Sequence, residues 1–183
     1  MNGQHVRHIH IMMGSPAQKA LEAIQGEKLE SLGIDELVGS VAVIDLVTSH
    51  HRIRIKNLQY EQPLKEDGRD YPCLSAEEAG RAIEECRTVP VGNIITAVEI
   101  VRYRAVWSYE DKKWDILCDT GICITLQNRM LLIHALDSDE GALAWKFQKE
   151  NADGIIDPFD WGGKTKSLIS TGRERIRLTH EKI

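Results

Sequence analysis

His8 and His10 are one residue apart, the spacing that puts two imidazoles on the same face of a β-strand and within reach of one metal ion. A complete site needs a third ligand. The glutamate that a cupin-type pair would place a few residues later is missing, because Met12-Met13-Gly14 follows, and only folding could bring His5 or the His50-His51 pair close. Basic residues form the second group. Arg52, Arg54 and Lys56 alternate along one segment, Arg102 and Arg104 along another, and Arg173, Arg175 and Arg177 along a third. Guanidinium groups from neighbouring strands would make a surface suited to phosphates, nucleotides or an acidic protein. The plain alternative is a solvated face on which each cation crosses to an acid of the next strand.

Acidic residues cluster at Asp137, Asp139 and Glu140 and again at Asp153, Asp157 and Asp160. Strand-end carboxylates hold divalent cations or act as acid and base. The run Asp-Ser-Asp-Glu-Gly is equally what a tight turn uses. The junction Gly14-Ser15-Pro16 offers a helix start but lacks the glycines and lysine of a phosphate loop. There is no G-x-S-x-G elbow, and no dinucleotide fingerprint stands in the chain, so no cofactor is expected. Cys73, Cys86, Cys118 and Cys123 lack C-x-x-C spacing and read as free thiols of a reducing cytoplasm. Trp161, beside Phe159 and two glycines, is the aromatic residue placed to meet a ligand or partner.

These groups need elements to hold them. Residues 5–13 alternate as a strand, and a helix then begins with Ser15 as N-cap and Pro16 at its first position, with Ala17, Ala20, Leu21 and Ile24 on one face. The helical pattern runs on towards Leu32, as one helix or, with Gly26 weakening its middle, two short ones, and Gly33 is its stop. Residues 40–47 and 52–56 read as a hairpin. Glu61 to Pro72 reads as an exposed loop. Ser75-Ala76-Glu77-Glu78 has the form of a capping box, predicting a helix with Ala79, Ala82, Ile83 and Cys86 as its stripe, closed by Pro90 and Gly92. Strands are then expected at 94–109, 114–119, 122–127, 130–136, 142–147 and 167–178, with turns at Glu110–Lys113 and Thr120-Gly121. Trp107 and Trp114 would flank the first of these turns as a cross-strand pair.

The fold class expected is α+β and β-rich: an antiparallel meander forming a bent sheet or partly open barrel, with two or three covering helices. At 183 residues the chain suits a single domain, residues 1–183. No apolar stretch approaches the length of a membrane span, and residues 1–6 carry no secretory signal. The net charge of −5 argues against a nucleic-acid coat. Charge is segregated, however: residues 161–183 hold six Lys/Arg against two Glu, a surplus of four, so the rest totals −9. The leading expectation is a non-enzymatic, soluble binding protein whose ligand is a phosphate-bearing small molecule or an acidic protein surface. Its site would comprise Arg52, Arg54, Arg102, Arg104, Arg173, Arg175, Arg177 and Trp161. The alternatives are a metal-dependent hydrolase using His8, His10 and strand-end aspartates, and a structural subunit that forms a homo-oligomer.

Overall fold

Apolar–polar alternation shapes many of the described strands, as in β4 (Arg52–Asn57). The computed structural model describes residues 5–37, 39–58, 71–109, 112–136, 141–149 and 168–179. In chain order the elements are β1 (His5–Ile11), α1 (Ser15–Ala23), β2 (Lys28–Leu37), β3 (Ser40–Thr48), β4 (Arg52–Asn57), β5 (Leu74–Glu78), β6 (Arg87–Tyr109), β7 (Lys112–Leu126), β8 (Met130–Ala135), β9 (Leu143–Gln148) and β10 (Leu168–Arg177). The domain is β-rich as expected. The described residues contain one helix, not two or three, and none long and apolar enough to cross a membrane.

Both lost helices have physical causes. Gly26 adopts φ +85°, a conformation that side chains avoid, and donates its N–H to Ile95 O at 2.9 Å. The chain therefore leaves α1 and enters β2. Leu29 and Leu32 are three apart, a helix-like interval, yet both are fully buried because the register shifts between Leu29 and Ser31. A bulge of this kind adds a residue and returns the next side chain to the same face. The capping-box segment is strand β5: Leu74 and Ala76 are buried, while Glu77 lies opposite Arg54 and reaches Lys56 Nζ at 3.0 Å. Of its supposed helical stripe, Ala82 is exposed and Ala79, Ile83 and Cys86 are only half-buried.

Strands β6 to β9 pair in chain order as the expected antiparallel meander, but the sheet as a whole is of mixed order, and in place of a bent sheet or partly open barrel it forms a looser ring. Strands β2, β6, β7, β8, β9 and β3 are bonded in a circle, which closes through a single β3–β9 pair, Val41 opposite Leu143. Every ring strand contributes to the main apolar cluster, among them Leu29, Ile44, Ile100, Ile122, Ile133 and Leu143. Helix α1 adds Leu21 and its C-cap adds Ile24, and β4 and β5 extend the sheet beyond β3.

Strands β6 and β7 outrun the ring. Their free halves carry β10 on one side and β1 on the other, making a four-stranded wing, β1-β7-β6-β10. β1 runs parallel to β7, a departure from the antiparallel expectation. The predicted turn at Thr120-Gly121 is instead a bulge within β7: Gly121 lies opposite Val101 while Asp119 lies opposite Arg102. A side chain at Gly121 would stand 3.2 Å from Ile133 O and 3.3 Å from Val101 Cβ, so glycine spares three closely approaching strands a tight contact here. Cys118 and Cys123 consequently lie on one strand, not on two arms of a hairpin.

One face of the wing is apolar, built from Ile9, Ile11, Tyr103, Ala105, Trp114, Ile116 and Cys118 with Tyr71 against them. The alternate residues make the other face, and they are polar.

Candidate functional site

β1 holds its place because Ile9 and Ile11 bury against Ile116 and Cys118, their partners in register. Alternation then presents His8 and His10 on the polar face, opposite Asp115 and Leu117. On the adjoining β6, Arg102 lies opposite Asp119 and Arg104 opposite Leu117. The antiparallel partner β10 brings Glu174 against Arg102 and Gly172 against Arg104. These residues surround a pocket of about 630 Å3, with Arg173 at its rim. That volume lies in the ordinary range for small-molecule sites.

The pocket is rigid at its base. Asp119, 1% exposed, accepts the Met13 N–H at 2.7 Å, Arg102 Nε at 2.8 Å and Arg102 Nη2 at 3.2 Å. The Asp119 hydrogen bond pushes the Arg102 guanidinium above its ordinary pKa, against the effect of burial. Higher up, Arg104 grips Asp115 through Nε at 2.8 Å and Nη2 at 2.7 Å. That grip holds the Asp115 carboxyl below the usual carboxylate range; burial opposes it, and the fields of His8 and His10 add to it. His8 Nδ1 faces Asp115 Oδ2 at 3.4 Å, and the His8 and His10 rings stand edge to face with centroids 6.3 Å apart.

Of the residues expected to bind a ligand, the structure brings together Arg102, Arg104 and, at the rim, Arg173, and it adds His8 and His10. Arg52 and Arg54 lie elsewhere, on β4. There Arg54 makes a two-point contact with fully buried Asp45 at 2.8 and 2.9 Å, and Arg52 stands 3.5 Å from the same carboxylate. Arg173, Arg175 and Arg177 do share a strand face, but register sets them opposite Tyr103, Val101 and Glu99, which belong to the wing's other side. Arg175 Nη1 lies 3.8 Å from Glu99. Trp161 and the acids at 137, 139, 140, 153, 157 and 160 lie outside the described residues. Among the described residues, no three His, Cys, Asp or Glu side chains are grouped to hold a metal ion. His51, weighed as a helper ligand, instead meets Glu27 Oε1 through Nδ1 at 2.9 Å.

Asp115, Leu117, Asp119 and Glu174 are site residues that sequence reasoning missed. A signal for three of them was present. The register that pairs Tyr109 with Lys112 puts Arg102 opposite Asp119 and Arg104 opposite Leu117, with Asp115 one diagonal away. Comparisons with protein-family models, with curated proteins and with solved structures gave no match.

Proposed function

We propose that the polar face of the wing binds a small phosphate-bearing molecule in the pocket between β1 and β10. The observation that carries this reading is convergence: two guanidiniums from β6 and two imidazoles from β1 line one cavity. Pairing with Asp115 and Asp119 does not exhaust the arginines. A guanidinium carries five N–H donors, and a two-point carboxylate contact engages two of them. Leu117 offers an apolar contact for the body of the ligand. The four cysteines are free thiols, which suits a reducing compartment such as the cytoplasm.

Calorimetric titration with propyl phosphate tests the reading. Saturable one-to-one binding is expected, weakened about tenfold in Arg104→Ala, the scale of one lost charge-assisted hydrogen bond. Arg175→Ala and Arg52→Ala should bind like the parent. Undiminished binding by folded Arg104→Ala, or an equal loss in Arg175→Ala, refutes the assignment of this pocket.

A further inference from the structure

The charges of this pocket are not equivalent once they are sorted by partner. Asp119 is neutralised by Arg102 and Asp115 by Arg104, each through two contacts between 2.7 and 3.2 Å. Glu174 also lines the cavity and is exposed; its charge acts on Arg102, but no two-point contact ties it down as Asp119 and Asp115 are tied. It stands directly across from Arg102 in the β6–β10 register, on the strand beside both guanidiniums. An open carboxylate at the edge of an anion site repels a ligand that is only anionic, because like charges at close range cost energy. The same carboxylate favours a ligand that brings its own positive group.

We infer that the ligand of this pocket carries an ammonium group as well as its phosphate, and that Glu174 receives the ammonium. The inference rests on the pocket binding a phosphate-bearing molecule, and it adds the ligand's second charged group and the residue that selects for it. The fold sets the reach. Glu174 is one strand from Arg104 and three strands from the histidines, so roughly 5 to 14 Å separate the two poles at ordinary strand spacing. A short aminoalkyl phosphate bridges the nearer end of that range, from Glu174 on β10 to Arg104 on β6.

The test is a matched pair of probes, propyl phosphate and 3-aminopropyl phosphate, titrated calorimetrically at pH 7 and low salt into the parent protein and Glu174→Gln. The amine-bearing probe should bind the parent about two- to fivefold more tightly, the range an exposed ion pair provides. The advantage should shrink in 0.5 M salt as screening sets in. In Glu174→Gln it should disappear, while propyl phosphate binds at least as well as to the parent. Equal or weaker binding of the amine by the parent, or an advantage that persists in Glu174→Gln, overturns the role of Glu174 and leaves the pocket assignment standing. Failure of both probes to bind the folded parent removes the pocket assignment and this inference together.

Discussion

Replacing Asp119 by Ala should be among the most damaging single changes on the wing. The carboxylate is 1% exposed, and Arg102, which it holds, is 20% exposed, so both charges are largely out of water. Asp119 also satisfies the Met13 N–H at 2.7 Å, where β1 gives way to α1. Removing one partner of a buried pair costs about 3–5 kcal/mol, because the remaining charge is left desolvated. An orphaned backbone N–H adds about 1–3 kcal/mol where the structure cannot relax. Arg102 retains a path to solvent, so these contributions overlap and we expect a loss of about 4 kcal/mol, at the middle of the buried-pair range. For a chain of this length that lowers the melting temperature by roughly 8–16 °C. Urea unfolding followed by tryptophan fluorescence measures it, with Arg102→Ala and the double variant completing a cycle. A coupling of at least about 1.5 kcal/mol is expected, since the two residues share one network. A loss below about 1 kcal/mol for Asp119→Ala, or additivity of the two changes within about 0.5 kcal/mol, would refute the view that this pair anchors the pocket floor.

Two further outcomes follow from buried groups on the outer side of the ring. His134 is 2% exposed, and neither ring nitrogen has a partner among the described residues; burial, with Lys146 nearby, pushes its pKa below the ordinary value. The unfolded chain therefore takes up this proton first. Stability should be unaffected above the unfolded histidine range near pH 6.5, then fall with acidification by at most about 1.4 kcal/mol per pH unit, levelling once the folded protein is protonated as well. His134→Leu should flatten that slope and add about 1–2 kcal/mol at neutral pH, and urea midpoints at pH 7.5, 6.5 and 5.5 with an unchanged slope would contradict this. Cys123 is fully buried, and burial raises its thiol to about 11. Iodoacetamide at pH 8 should leave it unmodified in the folded protein and label it in urea, as read by mass spectrometry; rapid native labelling would be the adverse result.

Alternation along single segments was legible from the residues alone. It placed β1, the β3–β4 hairpin, β8 and β9 within a residue or two, put His8 and His10 on one face, and put Arg173, Arg175 and Arg177 on another. The Gly14–Pro16 helix start was legible as well, with Gly14 rather than Ser15 as the N-cap. What misled was local chemistry that a distant strand overrules. Ser75–Glu78 has capping-box spacing, but pairing with β4 buries Leu74 and Ala76 and gives Glu77 a lysine partner.

The residues by themselves determined a β-rich chain, the sidedness of each strand, and the two chemical types that meet in the pocket. The tertiary structure alone decided which sides meet. Period-two alternation is a property of a few consecutive residues, whereas the neighbour across a sheet depends on register and bulges that join distant parts of the chain. Met13 reaches Asp119 across 106 positions, and the bulge at Thr120 sets the Ile122 side in line with the Asp119 side. Through such pairings Arg102 and Arg104 look into the cavity while Arg175 looks away from it, although all three come from equally regular strands.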